Sequence, residues 1–238
     1  MSDGSYLRWR HGSPVNVAAL FSGGKDSTYA LYVAQQRGLE VSRLVTVIPG
    51  DPDAMLYHTP NIGLTSQLSD CLGIPLITKE AGRGEERELE ALRAVLDGLA
   101  VDGLIMGTIA SDYQKSRVDA VCHDLGLRCF APLWRHDQVS LMNEYLKAGF
   151  RIIITGVAAE GLDADWLGRE IDEAVLGELL VLNRKHGLSP CGEGGEYESL
   201  VLDGPNFRKR LVIEQADREW KGSSGTLKVV RAKTDEKS

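Results

Sequence analysis

Apolar and polar positions follow two different rhythms along the chain. Asn16 to Phe21 is a short apolar run that ends in a Gly-rich turn, Ser22-Gly23-Gly24. Such a run predicts a buried strand. Ser27 to Arg37 carries apolar residues at helical spacing, Tyr29, Leu31 and Val33 among them, and predicts a helix. Val41 to Ile48 is β-branched and predicts a second buried strand. Pro and Asp fill Pro49 to Pro60, which predicts a loop. Ile62 to Leu72 has helical spacing and Gly73 stops it. Pro75 to Thr78 predicts a strand. Glu85 to Leu99 predicts an amphipathic helix with Leu89, Leu92, Val95 and Leu96 on one face. Gly103 to Met106, Tyr113 to Leu125 and Arg128 to Phe130 predict a strand, a helix and a strand. This alternation predicts an α/β domain: a parallel sheet with helices on both faces.

The rhythm changes after Pro132-Leu133-Trp134. Gln138 to Lys147 predicts a helix, Phe150 to Val157 a strand, and about Gly168 to His186 a long helix. Glu198 to Leu202, Leu211 to Glu214 and Gly225 to Ala232 predict antiparallel, hairpin-like strands. The expected organisation is therefore a domain over 1–133 and a smaller α+β domain over 134–238. Thr234 to Ser238 is expected to fray.

Charge narrows the partners. The chain of 238 residues has 27 Lys+Arg against 34 Asp+Glu, a formal net charge of −7. A general phosphate-backbone binder needs a basic face, so nucleic acid is excluded as a partner, while one small anion at a local site remains compatible. No apolar run reaches the roughly 18 residues of a membrane span, and no membrane partner is expected. Met1 to Pro14 lacks the apolar core of a secretory signal. Cys71, Cys122, Cys129 and Cys191 include no Cys-x-x-Cys pair, so free thiols in a reducing cytoplasm are expected. His11, His58, His123, His136 and His186 show no metal-ligand spacing, which argues against structural zinc and iron–sulfur sites.

Ser22-Gly23-Gly24-Lys25-Asp26-Ser27 carries the sharpest chemistry. Glycines between a strand and a helix let backbone amides approach an anion. The helix start adds N–H groups and the positive end of the dipole. Ser22 and Ser27 add hydroxyls, and Lys25 adds a charge. The segment is not a Walker A loop, because Ala19 and Asp26 stand where that motif has Gly and Ser/Thr. In an open parallel sheet ligands sit beyond the carboxyl ends of the strands. Pro49-Gly50-Asp51, Gly107-Thr108-Ile109 and Ala131-Pro132-Leu133-Trp134 fall there. Ile48, Pro49, Gly107 and Thr108 are expected to line the nucleotide. Ser111, Tyr113, Gln114 and Arg117 follow. Tyr113 and Arg117 share a helix face, and Arg117 suits an α-phosphate or a carboxylate; a solvated helix start is the alternative. His58, beside the next helix start, is a candidate substrate contact or a surface cap.

Cys191-Gly192-Glu193-Gly194-Gly195-Glu196-Tyr197-Glu198-Ser199, with Asp203 beyond it, is the second unusual stretch. Glu193, Glu196 and Glu198 could read a cation, hold Mg²⁺ through water or act as a base; an exposed acidic loop is the alternative.

Ser-Gly-Gly-x-Asp-Ser resembles the PP-loop of the ATP pyrophosphatase superfamily, in which Asp26 would place Mg²⁺. Together with Gly107 to Arg117, Ala131 to Trp134, Gly161-Leu162, Trp166 to Arg169 and Glu193 to Phe207, the chain resembles the diphthine–ammonia ligase family. The resemblance implies a HUP-type ATP-binding domain plus a C-terminal domain bearing the acidic motif. It implies ATP, Mg²⁺, ammonium and diphthine-bearing translation elongation factor 2, with an acyl-adenylate intermediate; a homodimer is a further expectation. Lys25 and Arg117 would offset charge at the phosphates. Glu196 would take the ammonium proton. Tyr113, Trp134, Tyr197 and Phe207 would suit the trimethylammonium group, and Asp203 would join the acidic cluster. The rival readings are a ligase acting on a small-molecule carboxylate, a tRNA-modifying PP-loop enzyme and a non-catalytic ATP sensor.

Overall fold

A computed structural model describes residues 15–50 and 61–237. The described residues form two compact units: 15–22, 26–50 and 74–134 in the first, and 23–25, 61–73 and 135–237 in the second. The units therefore do not follow chain order alone.

The first unit is built on a five-stranded sheet. Its strands are β1 (Asn16–Leu20), β2 (Glu40–Ile48), β3 (Leu76–Glu80), β4 (Gly103–Ile105) and β5 (Arg128–Phe130), in the order β3-β2-β1-β4-β5. Every pairing is parallel. Parallel strands buried on both faces read as the near-continuous apolar runs seen in Val17-Ala18-Ala19 and Leu44-Val45. Helix α1 (Lys25–Gln36) follows β1, α3 (Glu85–Asp97) follows β3 and α4 (Asp112–Asp124) follows β4. Ala91, Leu92 and Leu96 of α3 and Val118, Val121 and Cys122 of α4 share one core cluster with Ala18, Val45, Val47 and Leu104. The expected α/β sheet flanked by helices is the one observed. Its strand order reverses between β1 and β4, and an open sheet of this kind takes its ligand beyond the strand ends at that reversal.

The second unit is built on an antiparallel sheet of β6 (Arg151–Val157), β7 (Tyr197–Asp203), β8 (Lys209–Lys221) and β9 (Ser224–Glu236), in the order β7-β6-β9-β8. Helices α2 (Thr65–Leu72), α5 (Gln138–Lys147) and α6 (Glu173–His186) belong with it. A 3-10 turn, Ile62–Leu64, leads into α2. Gln67 Nε2 donates to the Ala232 carbonyl at 3.2 Å and Arg208 N to the Cys71 carbonyl at 2.6 Å, tying α2 to this sheet.

Three expectations need correction here. The long helix does not begin at Gly168. Gly168, with φ of +85°, is a turn residue, and Gly168 N and Ile171 N donate to the carbonyls of Ile154 and Ile152, so 169–171 runs beside β6. The helix starts only where Asp172 caps it, accepting from Val175 N at 2.8 Å. The last two strands are also far longer than the apolar runs that predict them. Outside those runs the hairpin is mostly solvent-exposed, so its outer halves carry charge instead of apolar residues. The tail is not frayed as far as Glu236, which pairs with Lys209 in the β8–β9 ladder.

Candidate functional site

In the first unit the site starts where β1 ends. Phe21 N donates to the Val45 carbonyl at 2.8 Å, and Thr46 Oγ1 donates to the Phe21 carbonyl at 2.6 Å. The strand end is thus fixed before the loop begins. Ser22 N donates to Ser27 Oγ at 3.3 Å, and the two hydroxyl oxygens lie 3.1 Å apart. Asp26 sits in the first turn of α1, where the helix dipole favours a carboxylate. Gly107 follows β4 and lies against the same turn. A Cβ there would stand 2.6 Å from Ser27 N and 2.7 Å from the Asp26 carbonyl carbon. The sheet reversal therefore brings Gly107 to the start of α1, as the strand order requires. Thr108 beside it is buried, and Ile48 and Pro49 are half-buried at the end of β2.

Ser111 caps α4, its hydroxyl accepting from Gln114 N at 3.2 Å. Tyr113 and Arg117 do share a face. Both bind Glu85 at the start of α3: Arg117 Nε donates to one carboxylate oxygen and the Tyr113 hydroxyl to the other. The Arg117 guanidinium also lies 4.8 Å from the Tyr113 ring centroid. Sequence reasoning missed Glu85; an acidic residue opening a helix directly after Gly84 was the available signal. Lys115 Nζ lies 5.6 Å from the Trp134 ring centroid and pairs with Asp119. His58 and Asp51 lie outside the described residues.

In the second unit, Gly23 and Lys25 are held along β7. Val201 N donates to the Gly23 carbonyl at 3.0 Å, and Lys25 N donates to Ser199 Oγ at 3.2 Å. Lys25 is only 4% exposed. Its ammonium donates to the Cys191 carbonyl and stands 5.2 Å from the Tyr197 ring centroid. A buried ammonium requires such partners.

The acidic segment is a tightly wired loop. Ser189 Oγ donates to Gln138 Oε1 at 2.7 Å and accepts from Glu193 N at 3.1 Å; Cys191 N donates to the same Gln138 oxygen at 3.3 Å. The Glu196 carboxylate accepts from Ser189 N at 2.9 Å and from Gly194 N at 2.7 Å. Gly192 has φ of +70°, and a Cβ there would lie 2.7 Å from the Tyr197 carbonyl oxygen, so glycine is required. Glu193 and Glu198 are half-buried.

Two aromatic candidates and one acidic one are placed differently from expectation. Tyr197 is 2% exposed and its hydroxyl donates to the Pro190 carbonyl at 2.6 Å. Phe207 is 4% exposed. Both rings are core, which leaves Tyr113 and Trp134 as the aromatics with open surface. Asp203 does not join the acidic loop. It ends β7, roughly 20 Å from Tyr197 at ~3.3 Å per residue, and pairs with Lys237 at 2.5 Å. Among the described residues no group of three His, Cys, Asp or Glu is gathered to hold a metal. A phosphate-bound Mg²⁺ would need only one or two protein carboxylates.

Residues 15–129 match the diphthamide synthase N-terminal domain family and residues 137–234 the diphthamide synthase C-terminal domain family. A Schizosaccharomyces pombe protein named diphthine–ammonia ligase is 35% identical over 240 residues, spanning 92% of this chain and 39% of that protein. The Rattus norvegicus and Homo sapiens proteins of the same name are 35% and 33% identical, each match spanning 85% of this chain and 84% of the relative. The chain belongs to the diphthine–ammonia ligase family. Ser22 to Ser27 falls in the N-terminal match and Cys191 to Asp203 in the C-terminal one, so each motif sits in its own family region. Other stretches that carry the family resemblance are structural. Leu162, Trp166 and Leu167 are buried, and the Arg169 guanidinium covers the Trp166 ring at 4.5 Å. Among the described residues no helix is long and apolar enough to cross a membrane.

Proposed function

We propose that the chain joins ammonia to the diphthine carboxylate of translation elongation factor 2, consuming ATP and releasing AMP and pyrophosphate. The observation that carries this reading is the approach of Gly107 to the Asp26–Ser27 peptide at the strand-order reversal. It leaves a helix start and two serine hydroxyls beside backbone that only glycine tolerates, the features of a phosphate cradle.

A carboxylate is a poor acyl donor because its leaving group would be oxide. Its oxygen attacks the α-phosphorus of ATP, and the bond from that phosphorus to the α,β-bridging oxygen breaks, so that pyrophosphate leaves with the electron pair. Ammonia then attacks the acyl carbon and AMP leaves with the carbon–oxygen electron pair. Ser22, Gly23, Gly24 and Ser27 hold the β- and γ-phosphates through N–H groups and hydroxyls. Ile48, Pro49, Gly107 and Thr108 take the adenosine. Asp26 would hold Mg²⁺, which supplies neutralising charge at the phosphates. Arg117 stabilises charge on the α-phosphate. Tyr113, Trp134, Ser111 and Gln114 form the side that receives diphthine, and a trimethylammonium group suits the two rings.

Glu193 and Glu198 draw in ammonium and take its proton. Glu196 holds their loop in shape, because both of its carboxylate oxygens already accept backbone N–H groups. The four cysteines are all free, which supports a reducing compartment such as the cytoplasm.

The test is incubation with diphthine-bearing elongation factor 2, ATP and ammonium. AMP release and the small mass decrease of an acid-to-amide conversion on the modified His peptide are expected. AMP release with a small-molecule carboxylate and none with the factor would reject the substrate assignment.

A further inference from the structure

We propose that Lys25 is a positioning residue that fastens the phosphate loop to the acidic loop, and is not a phosphate ligand. This rests on the reading of Ser22 to Ser27 as the nucleotide loop. Four contacts support it, all within the second unit. The Lys25 ammonium donates to the Cys191 carbonyl and faces the Tyr197 ring. The Tyr197 hydroxyl donates to the neighbouring Pro190 carbonyl. Lys25 N donates to Ser199 Oγ two residues further along β7. One lysine and one tyrosine thus grip two consecutive carbonyls at the entrance to the Gly192–Glu196 turn.

Chemistry makes the grip selective. An ammonium that is 4% exposed has exchanged water for partners that include a carbonyl and a π-face. Turning it toward a phosphate would strip both from it and leave the Cys191 carbonyl without its charged donor. A hydrogen bond from a charged donor is worth about a factor of ten or more. The phosphate loop has other means of binding anions, its amides and hydroxyls. The Cys191 carbonyl takes a charged donor from Lys25, so substitution of Lys25 acts first on that loop.

The experiment measures amide hydrogen exchange over residues 189–196 in the full chain without nucleotide, and ATP affinity by titration, for wild type, Lys25→Met, Lys25→Arg and Tyr197→Phe. Lys25→Met is expected to speed exchange of the loop amides about tenfold while ATP affinity changes less than about threefold. Lys25→Arg, which keeps the charge over the ring, is expected to recover part of the protection. Tyr197→Phe preserves volume and serves if Lys25→Met does not fold; it is expected to speed exchange over 189–192. Unchanged loop exchange in the variants overturns the proposal, as does a tenfold loss of ATP affinity in Lys25→Met with the loop still protected. A wild-type chain that fails to bind ATP sinks the nucleotide reading, and the exchange data still decide whether Lys25 holds the loop.

Discussion

Gly107 approaches Ser27 so closely that a single added carbon would stand 2.6 Å from the Ser27 amide nitrogen. The obstructing atoms are backbone at the head of α1, which cannot swing aside as a side-chain tip would. Overpacking of this kind costs about 1–3 kcal/mol. Gly107→Ala is therefore expected to lower the melting temperature by several degrees and to weaken ATP binding at least about tenfold. Calorimetric titration and a thermal melt check both. Native affinity in the variant would show that the nucleotide does not use this approach.

Arg117 and Glu85 allow catalysis and stability to be separated. Their side chains are 45% and 31% exposed, and exposed ion pairs contribute under ~1 kcal/mol. Arg117→Ala is expected to leave the melting temperature nearly unchanged. Loss of a group that stabilises transition-state charge costs about 10²–10³ in rate. AMP formation should fall by that order, measured at saturating ATP. A variant with full turnover would return Arg117 to the role of a solvated helix residue.

Glu196 is expected to act through geometry. Glu196→Gln keeps one acceptor oxygen but turns an amide NH₂, itself a donor, toward the second N–H, at a local cost of about 1–3 kcal/mol. Ammonium-dependent AMP formation is expected to drop at least tenfold, since small misplacements of reacting groups cost up to ~10²-fold. ATP affinity should hold. The same substitution at Glu193 or Glu198 should lower turnover without raising exchange in the loop. If Glu196→Gln turns over normally, the wiring of the loop is dispensable.

Acid should loosen one particular segment. Hydrogen bonding from Arg151 holds the Glu170 carboxyl below its ordinary value of 4.5, and Arg169 does the same for Glu178. Folded values below the unfolded ones mean that these pairs stabilise the fold above about pH 4.5. That contribution disappears as pH falls through the lower folded values. The Glu170→Gln, Glu178→Gln double variant is expected to melt only slightly below wild type at pH 7, because the pairs are exposed, with the gap narrowing as pH falls below about 4.5. A gap that does not narrow in acid would mean the substitutions act by some route other than charge.

The first unit was largely legible because parallel buried strands announce themselves: Val17-Ala18-Ala19 and Leu44-Val45 can hardly be anything else. The turn from Ser22 to Gly24 was legible because Gly and Ser between an apolar run and a helical spacing mark a strand–helix junction. The second unit was harder for definite reasons. Residues 168–171 read as a helix start, and only their bonds to β6 reveal a turn at Gly168 followed by a short stretch beside that strand. Beyond Glu214, β8 is mostly exposed and reads as polar chain. The partners of Lys25 lie 166 and 174 residues away, out of reach of any local pattern. Asp203 looked adjacent to the acidic motif because sequence distance says nothing about an extended strand carrying it to the far end.

Those separations also set an order of assembly. The Ser22 to Ser27 loop is synthesised well before the groups that fasten Gly23 and Lys25, which come from Cys191, Ser199 and Val201. Closing so long a loop is entropically costly and slow compared with forming local helices. A growing chain can complete β1 to β5 while its nucleotide loop is still unanchored. Chains cut short before β7 should therefore display the loop's sequence without its fixed shape. Competence to hold the loop is acquired only once Cys191 to Val201 has been synthesised.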